Sequence, residues 1–450
     1  MRAPASGARP THPTYPTLPT QPTRTRRALR ASLQLSLLLV ATPLAIDAQQ
    51  PAAPSIDFSG VIFGNFAFRT DSAAKASLGG KSPDLFTVER AYLTFRMPAG
   101  TNGAIRVTTD VFQNTNTAQN AYYQGWAVRI KYAYLQYTGL KGAFGTGSSL
   151  LGRIGILHTI IIDDEESFWP RYLSQTPVER DGFFSSADAG AAGLLTLGNK
   201  WGEIYGTITN GPGYASYEKD RFKDLALRVS LTPFDDHTSP TSPTPGSMTP
   251  STAPAPLGSI IKTFAVNPWF YKGWVGSAFA AGGPGEVGPG TNGAITDGLA
   301  RDRYGVFVGV HERRLSAGAE WAQRKDESEK GGNTTASPRV VTDSTGRLLD
   351  GFVVARPVEL LNPAHHSDLA IVARFDHFTP NTSPTAAAYA GTTPSYSFWI
   401  LGASYDVTQR MTFALDWQKQ TGTSFPPAVG TNVRPTPPAS TIFLHFQATF

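Results

Sequence analysis

The last ten residues, Thr441 to Phe450, constrain the fold more than any other stretch of this chain. Ile442, Leu444, Phe446, Ala448 and Phe450 fall on one face of an extended strand, and Thr441, His445, Gln447 and Thr449 on the other. Phe443 alone breaks the pattern. Such alternation is what a membrane-spanning β-strand needs, with lipid against one face and a wet lumen against the other. A soluble β-sandwich can also end on an alternating strand, so the rest of the chain has to decide.

The N-terminus points the same way. Arg24, Arg26, Arg27 and Arg30 form a basic region, Leu33 to Ala41 an apolar one, and Ala48 a small residue at a cleavage position. This pattern predicts a secretory signal peptide over residues 1–48, too short to span a membrane as a helix. The Pro/Thr-rich stretch before Arg24 is long for a leader. Six of the 39 basic residues and one of the 34 acidic residues fall in positions 1–48, which leaves 33 of each. The basic balance therefore belongs to the leader and is no argument for nucleic-acid binding. The chain has no Cys, which excludes disulfides, thiolate metal sites and a cysteine nucleophile.

Period-two alternation recurs through residues 49–450. Ala91, Leu93, Phe95 and Met97 alternate with Arg90, Tyr92, Thr94 and Arg96. Leu225, Leu227, Val229 and Leu231 bracket Ala226, Arg228 and Ser230, while Leu369, Ile371, Ala373 and Phe375 bracket Val372, Arg374 and Asp376. No amphipathic helix of useful length is visible. Short turns at Pro98–Gly103, Asn199–Gly202 and Val407–Arg410 trade places with long segments at 113–124, 158–188, 210–222 and 324–349. These features predict an all-β fold: a transmembrane antiparallel up-and-down barrel of about 16 strands, with long external loops and short periplasmic turns. Roughly 25 residues are available per strand with its share of loop, enough for a crossing of about 9–11. One connection departs from the rule, a Ser/Thr/Pro-rich insertion at 235–256 of extended composition. Trp126, Trp169, Trp269, Trp274, Trp399 and Trp417 lie mostly near predicted strand ends, where interfacial girdles use such rings.

Several segments together resemble the phosphate-selective porins O and P. They are Val88–Arg96, Lys131–Tyr137, Arg153–Ile156, Phe168–Gly182, Asn210–Tyr214 and Lys223–Pro233, with the final strand; residues 235–365 match poorly. A terminal Phe likewise resembles the assembly signal of Gram-negative outer-membrane barrels. The resemblance implies a trimeric 16-stranded channel, narrowed by inward-folded loops and lined with Arg and Lys that pass anions.

The residues give their own version. Arg90, Arg96, Arg106, Arg153, Arg228 and Arg374 sit opposite the apolar positions and are expected to line the lumen, because a charge facing mid-bilayer lipid costs about 2–4 kcal/mol. The bland alternative has them merely solvating the lumen and pairing with Asp110, Glu320, Asp376 and Asp416. The loop after Arg153 lacks the family's lysines and carries Asp163-Asp164-Glu165-Glu166 instead. That run reads as a solvated loop, a cation- or lipopolysaccharide-bridging patch, or an acidic wall of the constriction facing the arginines.

The expectation is thus a Gram-negative outer-membrane porin for passive diffusion of small solutes, weakly anion-selective, with phosphate among the candidates. Its partners are small anionic solutes, outer-membrane lipid and lipopolysaccharide, the barrel assembly machinery through Phe450, and two further copies in a homotrimer. Gly60 and Gly64 suggest a smooth wall for that packing. No cofactor, metal, nucleic acid or catalytic residue is expected. A surface receptor or adhesin built on the loops at 282–302 and 324–349 is the alternative. A barrel hydrolase using His158 with Asp163 and Asp164, or His365 and His366 with Asp368, is a weaker one, since no serine accompanies them in a nucleophile motif.

Overall fold

The computed structural model describes residues 55–114, 125–216, 218, 220–235, 258–276, 298–334, 337–382, 395–422 and 439–450. The leader and all but the first residue of the 235–256 insertion lie outside these residues. Sixteen antiparallel strands close on themselves in simple up-and-down order, β1 pairing with β16. The first eight are β1 Asp57–Arg69, β2 Asp84–Pro98, β3 Gly103–Asn114, β4 Gly125–Lys141, β5 Ser149–His158, β6 Ala187–Thr196, β7 Gly202–Thr209 and β8 Asp224–Leu231. The rest are β9 Ala265–Gly276, β10 Gly298–Glu312, β11 Leu315–Thr334, β12 Ser337–Ala355, β13 Leu369–Thr379, β14 Tyr396–Thr408, β15 Met411–Gly422 and β16 Ala439–Thr449. Closure pairs every inner ladder and leaves no edge to protect, which a chain without cysteines can exploit. The described helical segments are single turns of three to six residues.

Burial follows the alternation read from the sequence. Leu225, Leu227, Leu369, Ile371, Phe413, Leu415, Ile442 and Leu444 are exposed on the outer face, while Arg228, Arg374, Asp376, Ala414, Asp416 and His445 are buried inside. Of the register shifts in the barrel, two bear on the lumen, one on the β1–β2 ladder and one on the β3–β4 ladder. The β1–β2 register slips between Phe63 and Gly64, leaving Glu89 as an extra residue beside Arg90. The β3–β4 register slips between Thr108 and Thr109, leaving Lys131 as an extra residue beside Tyr132. A bulge shifts the phase of side-chain alternation, so both side chains of each pair point inward.

Three expectations need correction. Residues 324–349 are not a loop: β11 and β12 run on as a long ladder through Glu329↔Val341. Polar residues such as Lys325, Glu327 and Glu329 end the hydrophobic alternation there, but backbone pairing continues, tied by Lys325–Asp343 at 2.6 Å. Gly60 and Gly64 do not make a smooth outer wall. A Cβ on Gly60 would sit 2.3 Å from the Phe450 ring and one on Gly64 2.2 Å from the Thr87 carbonyl oxygen, so these glycines accommodate the terminal aromatic and the bulge. Of the tryptophans, Trp126 and Trp399 are exposed on the outer wall, but Trp169 and Trp269 are buried inside the barrel.

Candidate functional site

The connection between β5 and β6, residues 159–186, folds into the lumen. Its apolar content explains why: Ile160, Ile161, Ile162, Trp169, Val178 and Phe183 are almost completely buried. They pack against inward-facing residues of the far wall, including Phe307, Leu348, Phe352, Val372, Phe378, Phe398 and Ile400. Trp169 meets Phe352 edge-on at 5.2 Å and Phe168 meets Phe307 at 5.0 Å. Burial of such rings contributes on the order of 1.5–3 kcal/mol each and holds the loop against the far wall. Polar ties finish the anchoring. Ser316 donates to the Phe168 carbonyl at 2.6 Å, Gln418 to the Leu173 carbonyl at 3.0 Å, and Arg324 to the Asp181 carbonyl at 2.8 Å.

The acidic run occupies one helical turn, Ile162–Glu165, followed by Glu166. Successive helical residues are about 100° apart, so four consecutive acids fan out in four directions. Asp163 accepts from the Tyr132 hydroxyl at 2.9 Å and pairs with His158. Asp164 pairs with Arg228 at 2.5 Å and accepts from Asn267. Glu165 is buried against Glu320 and Asp350. Glu166 pairs with Arg171 at 3.0 Å. Burial pushes the Asp164 carboxyl up to about 6, with Arg228 pulling the other way. Burial, then repulsion from Glu320 and Asp350, raises Glu165 well above the usual carboxylate range. The run is therefore neither a solvated loop nor a surface patch. It sits inside the barrel, and Asp163 and Glu166 border a cavity of about 330 Å³ whose other side is built by β1 to β4.

That side is cationic and aromatic. Arg106 and Lys131 line the cavity with Tyr92 and Tyr132. Arg106 stacks on the Tyr132 ring at 4.6 Å and donates to His158 Nε2 at 3.0 Å. Lys131 lies 4.3 Å above the Tyr92 ring and is almost fully buried. Arg129 stacks on Phe112 at 4.1 Å and on Tyr214 at 4.5 Å while pairing with Asp110 at 2.9 Å. Each cation is oriented by an aromatic face, an arrangement worth about 0.5–2 kcal/mol per contact.

The six arginines singled out from the sequence divide into three groups. Arg106 and Arg153 face the lumen with no carboxylate within ion-pair distance among the described residues; Arg153 donates to Gln136 at 3.1 Å and lies over Tyr134. Arg90 pairs with Asp110 at 3.3 Å, and Arg96 stands half-exposed at the short-turn rim beside Asp57. Arg228 and Arg374 point inward but do not reach open lumen, because the loop covers them. Arg228 is held by Asp164 and Glu203. Arg374 binds Asp376 through two hydrogen bonds of 2.7 and 2.6 Å and reaches the loop at Ser174 and the Gln175 carbonyl. These two arginines anchor the loop. Glu320 and Asp416 pair with no arginine: Glu320 accepts from Trp269 at 2.8 Å, and Asp416 lies 2.9 Å from His445.

Glu89, Arg129, Lys131 and Arg171 were not singled out. For β4 the signal was present: outward apolar positions run Trp126, Val128, Ile130 and then Leu135, Tyr137, a parity change that marks a bulge at Lys131. The His158–Asp163 pair resembles half of a hydrolytic triad, but the guanidinium of Arg106 occupies Nε2, where a nucleophile's hydroxyl belongs. His366 and Asp368, 2.9 Å apart and exposed, are tied to Arg313.

Neither a scan against protein-family models nor a search of curated proteins by sequence returns a match, so the likeness to porins O and P rests on the quoted segments alone. Solved structures do match. The outer membrane channel DcaP of Acinetobacter baumannii superimposes with a TM-score of 0.53 at 10% identity, covering 89% of this chain and 98% of that one. An anion-selective porin from Comamonas acidovorans gives 0.51 at 10% identity, covering 88% and 100%. OmpT of Vibrio cholerae, in its trimer form, gives 0.51 at 11% identity over the same shares. At such identity the likeness concerns fold alone, and the fold this chain shares with them is a closed antiparallel barrel.

Proposed function

We propose that this protein is a porin of the Gram-negative outer membrane, a water-filled channel that passes small solutes passively and weakly prefers anions. The observation that carries this reading is the asymmetry of the passage. On the β1–β5 side Arg106 and Arg153 project without a carboxylate partner, whereas all four acids of the loop turn are engaged or buried. Charge inside a channel with low-dielectric walls focuses potential, so two uncompensated guanidinium groups bias permeation toward anions. Asp163 and Glu166 on the facing side keep the preference weak and set a transverse field. Inorganic anions, phosphate among them, fit this passage. The lysine-rich constriction of the phosphate-selective family has no counterpart in the loop, and Lys131 is covered.

The outward apolar face fits outer-membrane lipid, the long-loop end fits lipopolysaccharide, and Phe450 fits the barrel assembly machinery. A homotrimer accords with the similar V. cholerae protein, described as a trimer. Reversal potentials in planar bilayers under a salt gradient test the reading. Anion preference should fall on Arg106→Ala and fall further on Arg106→Ala/Arg153→Ala. Cation selectivity of the unmodified protein refutes the assignment. A folded protein without conductance favours the receptor or adhesin alternative.

A further inference from the structure

Behind the loop, on the side away from the passage, the charges do not balance. Glu320, Asp350 and Asp376 stand directly opposite one another on β11, β12 and β13, a row of three carboxylates across adjacent strands. Like charges in direct cross-strand register repel. The loop turn adds a fourth, Glu165, buried beside Glu320 and Asp350 with both its oxygens unpartnered, and Asp181 of the same loop lies nearby. The cations facing this group are Arg374 and Arg180. Arg374 is committed to Asp376 through two hydrogen bonds, and Arg180 lies 3.7 Å from Asp181 and 3.8 Å from Asp376. On the other flank Arg228 is committed to Asp164 and Glu203. The remaining neighbours are neutral: Trp269, which donates to Glu320, the Thr176 hydroxyl beside Glu165, and Tyr396, which donates to Asp181.

Glu165, Glu320 and Asp350 are therefore buried together, at 1, 2 and 4% exposure, with no basic group among the described residues in ion-pair contact with any of them. Both oxygens of Asp350 and one of Glu320 lack hydrogen-bond partners. Three buried carboxylates gathered together must be neutralised by protons or by a cation. Among the described residues, no group of three or more acidic or histidine side chains has the spacing of a metal site.

We propose that the β5–β6 loop is latched across the lumen by protons shared between its Glu165 and the Glu320–Asp350 pair of the wall, so that losing those protons frees the loop and widens the passage. The sign follows from linkage. The latched state binds more protons than the released state, so its advantage declines once the pH exceeds the ordinary carboxyl range near 4, tenfold per unit for each proton released, until the latched carboxyls have themselves ionised. The upward displacement of Glu165 extends that window toward alkaline pH. The hydrophobic packing of Trp169, Val178 and Phe183 keeps the loop closed through the first part of it.

The test compares the unmodified protein with Glu165→Gln/Glu320→Gln/Asp350→Asn, whose amides stay neutral at every pH. Deuterium uptake of the 159–186 segment is measured at pH 7 and pH 10, normalised to the exposed 142–147 turn of the same molecule to remove base catalysis of exchange. Single-channel conductance is recorded at the same two pH values. In the unmodified protein normalised uptake and conductance should each rise at least twofold between pH 7 and pH 10, and in the variant both should stay flat. A flat response in the unmodified protein, an equal rise in the variant, or loosening at pH 7 by a metal chelator each overturns the proposal. Should the variant not fold, the normalised uptake of the unmodified protein decides alone. Uptake reads the latch even if no current flows, so failure of the latch and failure of the porin reading are separable.

Discussion

Replacing Arg374 with Met should unfasten the loop, and the structure gives the size of the effect. Both side chains of the Arg374–Asp376 pair are wholly buried, with two charge-assisted hydrogen bonds of 2.7 and 2.6 Å. Arg374 also holds the loop through Ser174 at 3.0 Å and the Gln175 carbonyl at 2.6 Å. Removing one member of a buried pair typically costs about 3–5 kcal/mol, because the other charge is left without compensation. Here Asp376 would stand beside Asp350 with only Arg180 in reach, at 3.8 Å, so the upper part of that range is expected. Removing both charges in Arg374→Met/Asp376→Leu takes away the stranded carboxylate. The loop hydrogen bonds are then lost, at about 0.5–1.5 kcal/mol each, with the Arg180 contact to Asp376 and the stacking of Arg374 on Trp169. The double variant should thus be more stable than the single one by about 2 kcal/mol or more, a non-additivity expected of directly paired groups. Urea titration in detergent micelles, read by the gel mobility of folded and unfolded barrel, measures both. If Arg374→Met costs less than 1 kcal/mol, or if the double variant is no better than the single, the pair is not what secures the loop.

Other outcomes follow from packing. Gly64→Ala forces a Cβ to within 2.2 Å of the Thr87 carbonyl oxygen and should cost about 1–3 kcal/mol, whereas Gly152→Ala meets open space and should be neutral; urea midpoints compare them. Deleting Phe450 removes the two backbone bonds it makes with Gly60, at 2.9 and 3.1 Å, and should lower the yield of heat-modifiable barrel in membranes far more than shortening the 235–256 insertion does. His158→Ala removes the acceptor that orients Arg106 and the ring stacked on Tyr132, so anion preference in bilayers should weaken while the barrel still assembles.

The sixteen strands were legible because each needs only a two-residue period, and lipid enforces that period strictly: Leu369, Ile371 and Phe375 cannot exchange faces with Arg374 and Asp376. The site was legible by direction but not by reach. Alternation shows that Arg228 and Arg374 face inward, yet only a tertiary contact, the loop lying over them, separates them from Arg106 and Arg153. Bulges defeat parity counting locally, which hid Lys131 and Glu89. The acidic run was visible as composition, but its fan of four partners depends on one helical turn placed inside a barrel. The strand nature of residues 324–349 was hidden for the opposite reason: in water a ladder needs no apolar face.

The loop ties also bear on the order in which the molecule is made. Gln418 and Leu173, Arg180 and Gln420, and Arg374 and Gln175 are joined across 245, 240 and 199 positions of the chain. When β5 and β6 first pair, the strands that will receive the segment between them do not yet stand opposite, so that segment waits with its isoleucines and aromatics uncovered. Contacts spanning such distances form slowly. Docking must follow arrival of β13 to β15, because the groups that receive residues 173, 175 and 180 stand on those strands.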